Sequence, residues 1–319
     1  MLDVSVAVST HGRPNHVRRL LEALEHQTLD RRRFEVVICD DGSAAAIWQA
    51  VQARAAESPM TVRLVRHATN RGAAAGRNSA WRATTAPVVA FTDDDCEPAP
   101  GWLEAGLVEV SGCCIVQGRV SPHPEDEAIA SGPFSRTIRV DAARFFETCN
   151  VFYRCSELEA VGGFSEEFGR GGGEDTDLAM RVLELGAEAR FASDALVHHE
   201  VRPSSLRAAL WSTPRWVTIP LLTRRYPVLR ELYLYRRLFW RRSHLHASVA
   251  LLGILIAAGR WRPGTIVLLI PWLDYRLRVD PLCPSRSGRL RALPGALVLD
   301  VFEVVTMVRG SARHRSLVL

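Results

Sequence analysis

Three consecutive aspartates, Asp93, Asp94 and Asp95, end an apolar run in the stretch VVAFTDDDCEP. Like charges side by side repel, and taking a carboxylate out of water is costly. The cluster therefore predicts a positive partner, most simply a divalent cation. A D-x-D pair at the carboxyl end of a strand suits Mg2+ or Mn2+. These ions take hard oxygen ligands and leave room for phosphate oxygens. The alternative is an acidic loop in which Asp95 caps a helix over residues 97–100.

Four further groups could join it. DDGS, residues 40–43, is either a plain turn or a carboxylate placed to accept hydrogen bonds from a base or ribose. In NRGAAAGRNSAW, residues 70–81, Gly72 and Gly76 permit close backbone approach at a helix start. Arg77 there can pair with phosphate, or it can be a solvated helix residue. GGGEDTDL, residues 171–178, sets Glu174, Asp175 and Asp177 in a first helical turn, where the dipole favours acids. The glycine run also admits a ligand, and a carboxylate there could take a proton from a hydroxyl. His198 and His199 are ordinary histidines or a third ligand for a dication.

Strands must carry these groups. DVSVAVS, FEVVICD, TVRLVRH and PVVAFT read as strands, and the segments between them have helical apolar spacing, as at Val17, Leu20, Leu21 and Leu24. Alternating strands and helices predict βαβ units, a mostly parallel covered sheet and an α/β class. Ligands bind at the carboxyl ends of such strands, where Ser9, Asp41 and Asp93–Asp95 fall. CIVQGRV and the stretch beginning CNVFYRC add strands, and a last strand leads to VHH.

Together these motifs give a specific match. VSVAVSTHGRPNHVRRLLEALEHQTL, FEVVICDDGS, NRGAAAGRNSAW, FTDDDCEP, AVGGFSEEF, GGGEDTDLAMRVLELG and VHH resemble, in order and spacing, the GT-A-fold glycosyltransferases of family 2, in a bacterial form. The resemblance covers residues 3–202. It implies a metal-dependent, inverting glycosyltransferase of hexosyltransferase type, using a nucleoside-diphosphate sugar. It implies that Ser9 and Asp41 contact the nucleotide, with Arg77 and Glu174 also in the donor site. Asp93 and Asp95 would be the D-x-D pair, with Asp95 the direct metal ligand and Asp94 near the sugar. Asp175 would be the general base. His198 would help hold metal and diphosphate, with His199 as the alternative. Trp211 or Trp216 could stack on a substrate. The rivals are a nucleotidyltransferase and a catalytically silent nucleotide-sugar-binding subunit. The first would want a phosphate loop where STHGRP stands. The second should have lost the base or the metal pair.

Charge divides the chain. Residues 1–202 hold 21 Arg against 30 Asp and Glu, a net of −9; residues 203–319 hold 19 against 5, a net of +14. The basic part is also apolar, with uncharged runs at 247–258 and 264–273 around GRWRPG. One span across both would bury Arg260 and Arg262, at about 2.5–3.5 kcal/mol each. Each run alone makes only about 15–18 Å of helix, short of the ~30 Å bilayer core. A hairpin in one leaflet, or helices lying at the interface, fits better, with Arg and aromatic flanks against anionic headgroups. LPGALVLDVFEVVTMVRG reads as a third, amphipathic segment carrying Asp300 and Glu303. A soluble helical subdomain or a dimer interface is the alternative. Apolar runs between the arginines speak against nucleic acid.

The division predicts a GT-A domain over 1–205 and a membrane-associating helical extension over 206–319. The acceptor would be a lipid-linked or cell-envelope glycan. Seven cysteines show no metal-like spacing, and the amino-terminal stretch reads as strand rather than leader. The expected location is cytoplasmic, peripheral or monotopic on the inner membrane face.

Overall fold

The computed structural model describes residues 1–135, 137–169, 171–260, 263–279 and 285–319. The chain divides into two units. The first is Met1–Pro124 with Thr137–Glu200; the second is Glu125–Arg136 with Val201–Leu319.

The first unit begins β1 (Val4–Thr10), α1 (Pro14–Glu25), β2 (Phe34–Asp40), α2 (Ala45–Glu57), β3 (Thr61–Arg66), α3 (Ala73–Arg82) and β4 (Val88–Phe91). It continues with β5 (Cys96–Pro98), α4 (Trp102–Val110) and β6 (Ile115–Pro122). The short α5 (Glu127–Ala130) groups with the second unit. Then come β7 (Val151–Arg154), α6 (Cys155–Val161), α7 (Glu174–Glu184) and β8 (Ala189–His199).

Every residue of β2 is buried, as a strand covered on both faces requires. Helix α1 opens with proline in its first turn, where no N–H is needed, and buries Val17, Leu20, Leu21 and Leu24. Eight strands form one sheet in the order β3-β2-β1-β4-β7-β6-β8-β5. The first four are parallel, as expected. Strand β7 runs against both β4 and β6, and β5 runs against β8, so the sheet is mixed. Residues 97–100 are not a helix: Cys96–Pro98 is a strand because it pairs with β8, about a hundred residues away. The core lies on both faces, around Leu20, Leu21 and Trp102 on one side and Phe91, Tyr153 and Leu178 on the other.

The second unit is helical: α8 (Leu206–Ser212), α9 (Ile219–Arg225), α10 (Val228–Tyr233), α11 (Arg242–Arg260), α12 (Ile270–Asp274) and α13 (Arg286–His314). Helix α11 has 19 residues, about 28 Å, because Arg242–His246 extends the apolar run beyond its expected start. Over Arg242–Gly259 its mean hydropathy is 1.2, so by length and composition it could cross a membrane. The second apolar run folds back on it as the turn Pro263–Leu269, where Thr265 Oγ1 donates to Gly253 O at 2.9 Å. A Cβ on Gly253 would sit 2.8 Å from that of Leu268, so glycine permits the approach. The two apolar runs thus pack against each other as a hairpin; Arg262, which the sequence sets between them, lies outside the described residues. Helix α13 turns Asp300 and Glu303 inward and leaves Val298, Val305 and Val308 exposed.

Candidate active site

Strand ends and the starts of two helices build the site. Asp41 follows β2 and is buried. Its Oδ1 accepts from Arg71 N at 2.9 Å and His67 Nδ1 at 2.7 Å, and its Oδ2 from Gly72 N at 2.8 Å. It thereby ties the β2 end to the loop that starts α3. Gly42 has a φ of +77°, and a Cβ there would lie 2.5 Å from the Thr69 backbone. Only glycine serves both the turn and that approach. Ser43 Oγ donates to Asp40 and accepts from Gly12 N at 2.8 Å, which fixes the loop after β1 to the turn after β2. A Cβ on Gly76 would overlap Ser9 Oγ at 2.0 Å, so α3 lies directly on the end of β1.

The three aspartates meet side chains from elsewhere in the unit. Arg77 Nη2 is 2.8 Å from Asp93 Oδ1, and its Nη1 is 2.9 Å from Glu174 Oε1. Burial opposes this charge, yet Asp93 and Glu174 more than offset it, so the Arg77 pKa is raised. Asp94 Oδ2 accepts from Thr10 Oγ1 at 2.6 Å, and Arg13 Nη1 bridges Asp94 Oδ1 at 3.0 Å and Asp95 Oδ2 at 3.2 Å. Burial, ahead of repulsion from Asp95 and Asp93, holds Asp94 above the ordinary carboxylate range despite Thr10 and Arg13. Arg13 and Arg77 thus supply positive charge that the triple aspartate demands.

Strand pairing brings in a histidine. In the β5–β8 register Cys96 lies opposite His199 and Glu97 opposite His198. Successive strand side chains point to opposite faces, so only one histidine can face the aspartates. That one is His199, with Nε2 3.4 Å from Asp95 Oδ1. Ligand atoms of Asp95, Cys96 and His199 lie within 4.8 Å of one another. Cys96 offers a soft sulfur donor, which Mg2+ and Mn2+ do not favour. The remaining carboxylate and imidazole donors fit Mg2+ or Mn2+.

Asp175 lies in the first turn of α7, just after Gly173 with its φ of +107°. Its Oδ1 accepts from the adjacent Thr176 N at 2.8 Å. Its neighbour Asp177 is buried against Arg181 at 3.0 Å, a helix-packing pair. Asp175 is partly accessible, yet surrounding protein first, then Glu174 and Glu147, raises its pKa well above the ordinary carboxylate range. Arg77, through Glu174 and Asp93, links this helix start to the aspartate loop.

Residues 5–127 match the family described as Glycosyl transferase family 2, and residues 134–276 match Glycosyl transferase family group 2. The chain belongs to glycosyltransferase family 2. The pre-mycofactocin glycosyltransferase of Mycobacterium tuberculosis is 29% identical over 215 residues, 63% of this chain and 43% of that protein. This chain thus aligns with under half of that relative's length. The succinoglycan biosynthesis protein ExoM of Rhizobium meliloti is 27% identical over 223 residues, 67% of this chain and 72% of that one. The mannosyltransferase PcManGT of Pyrobaculum calidifontis, solved with GDP-Man and Mn2+, superposes with a TM-score of 0.60 at 18% identity, covering 98% of this chain and 86% of that one. TarS of S. aureus, residues 1–349 with UDP-GlcNAc, gives a TM-score of 0.53 at 16% identity, covering 99% and 93%. These neighbours share the GT-A fold.

Within this family 2 core, Ser9, Asp41, Arg77, Asp93, Asp94, Asp95 and Glu174 gather at strand ends and at the starts of α3 and α7. Two expectations change. His198, expected to face the metal, lies on the other face of β8. Its Nδ1 is 3.2 Å from Ser121 Oγ, and its ring meets His123 edge-on at 5.5 Å. Arg77, expected to meet phosphate, has a guanidinium already paired with two carboxylates. In the second unit, Trp216 packs 5.9 Å from Trp240 under Arg215, and Trp211 is exposed on α8. Sequence reading missed Thr10, Arg13 and His67. Their partners lie 84, 81 and 26 residues away, so nothing in their local pattern points to a role.

Proposed function

We propose that the chain is an inverting, metal-dependent glycosyltransferase that moves a sugar from a nucleoside-diphosphate sugar to a glycan hydroxyl. One observation carries this: His199 and the three aspartates converge, and Arg77 ties that cluster to the α7 start bearing Asp175. Asp93, Asp95 and His199 would hold Mg2+ or Mn2+, which when bound supplies positive charge against the departing diphosphate. Asp41 and the turn 40–43, with Ser9, form the nucleotide end, and Asp94 lies towards the sugar. Asp175 accepts the proton of the acceptor hydroxyl as that oxygen attacks the anomeric carbon. The carbon–oxygen bond to the diphosphate breaks in the same displacement, and configuration inverts. The raised pKa of Asp175 makes it a better proton acceptor than an exposed aspartate, provided the pH keeps it ionised.

The first unit is the transferase core and the second its membrane-facing extension. Exposed Leu252, Leu255, Ile266, Val267 and Ile270 on α11 and the hairpin, within a region of net charge +14, support contact with an anionic membrane surface. The acceptor is then a lipid-linked or envelope glycan handled at the cytoplasmic face. The name of ExoM, a succinoglycan biosynthesis protein, is consistent with such an acceptor. Calorimetric titration of UDP, GDP, CDP and dTDP, each with and without Mn2+, tests the donor site. One diphosphate binding tightly only with metal supports the reading; no binding in any combination overturns it.

A further inference from the structure

Arg13 and Arg77 both pair with the triple aspartate, but they are built differently. The Arg77 side chain is 10% exposed and is held between two carboxylates from separate elements. The Arg13 side chain is 39% exposed, and one of its nitrogens serves both Asp94 and Asp95. Arg77 is a fixed strut. Arg13 is a partly solvated cation resting on acceptors that another cation could claim.

The loop carrying Arg13 is itself firmly placed. Gly12 N donates to Ser43 Oγ at 2.8 Å, His11 Nδ1 lies 2.9 Å from Asp41 O, and Thr10 Oγ1 holds Asp94. The backbone at Arg13 is therefore anchored to the nucleotide end of the site, while its side chain reaches to the metal end. Asp95 has one oxygen towards Arg13 and the other towards His199. A dication held by Asp95 and His199 would stand beside the guanidinium, and the two positive charges would repel. The guanidinium then needs a new acceptor within reach of its long stem. A diphosphate arriving with the metal offers one, and the planar fork of Arg suits phosphate oxygens.

We propose that Arg13 is a donor-binding residue that exchanges partners, bridging Asp94 and Asp95 in the empty site and pairing with the donor diphosphate in the loaded one. Arg13 thereby makes metal binding depend on the diphosphate: it competes with the metal alone and favours metal and diphosphate together. This rests on the nucleotide-sugar reading of the site.

The test is Mn2+ binding to the full chain by calorimetry, alone and with saturating UDP or GDP, for the wild type, Arg13→Gln and Arg13→Lys. The wild type should bind Mn2+ weakly alone and about tenfold or more tighter with the diphosphate. Arg13→Gln should bind Mn2+ alone more tightly than the wild type, bind the diphosphate more weakly, and lose most of that coupling. Arg13→Lys keeps the charge without the fork, so it should still disfavour Mn2+ alone and recover only part of the coupling. Cooperative binding in the wild type with an unchanged ratio in Arg13→Gln would overturn the exchange and leave the donor site standing. If no nucleotide binds wild type or variant with metal, the donor reading fails and the role of Arg13 falls with it.

Discussion

The two units differ in where their acidic clusters and exposed apolar side chains lie. In the first, carboxylates gather at the open ends of a sheet, and apolar residues fill the layers beneath. Its exposed large hydrophobics are only Met1, Val108 and Leu185 among the described residues. In the second, the two acids of α13 go inside, while Glu231 and Asp274 stay at the surface. Asp300 accepts from Trp272 Nε1 at 2.8 Å and pairs with Arg276; Glu303 accepts from His244 Nε2 at 2.9 Å. Val298, Val305 and Val308 on the same helix face outward. Each unit also has a cluster with metal-like spacing: Asp95, Cys96 and His199 in one, His244, Asp300 and Glu303 in the other. The second is closed by a 6% exposed Arg276, whereas the first is bridged by the exchangeable Arg13. Similar donor sets thus make a candidate chemical site in one unit and an internal strut in the other. Solvent access to the cluster and to its partner cation makes the difference.

The strongest way to break this comparison is Asp175→Asn. It should cut transfer by about 10²–10⁴-fold, as loss of a general base does, while metal-dependent nucleotide binding stays near wild type. Substantial residual turnover would remove Asp175 from the role. Next is Asp300→Asn, which leaves Arg276 buried without its charge partner. It should cost about 3–5 kcal/mol on unfolding by denaturant, with no change in Mn2+ affinity. A loss of Mn2+ binding instead would make the second cluster a metal site. The pair Val298→Ser with Val305→Ser should weaken binding to anionic vesicles by about tenfold and leave stability nearly unchanged. Reduced stability with vesicle binding intact would mark this face as packed against protein. The smallest expected effect is in pH dependence. Asp175 works as a base only when ionised, and its pKa is raised, so the acid limb of kcat/KM should lie above the ordinary carboxylate range. Glu147→Gln removes one source of the increase and should move that limb to lower pH with little loss of maximal rate. An unmoved limb would mean that another group sets it.

Much of the first unit was legible because its signals are local. Apolar runs ending in Asp40-Asp41 and Asp93–Asp95 mark buried strands that meet solvent at one end, and α/β connectivity puts those ends together. Acids after a glycine run mark the start of α7 for similar reasons. The second unit was harder to read. Its three apolar segments were visible, but a helix pattern does not say which face turns inward. The α13 segment reads as amphipathic without showing where Asp300 and Glu303 turn, and Arg276, Trp272 and His244 draw them inside.

Sequence alone was enough to determine the family 2 core, its strand-end carboxylates and Asp175 at a helix start, because each follows from contiguous residues and their spacing. Tertiary structure decided which cation meets which carboxylate. The choice of His199 over His198 comes from the β5–β8 register, since a one-residue slip would turn the other ring towards Asp95. Arg13 reaches Asp94 and Asp95 because β1 and β4 are neighbours in the sheet. Arg77 faces inward to two acids because Gly76 lets α3 sit against Ser9. Pairings between distant segments depend on the whole packed sheet, and no short stretch of this chain encodes them.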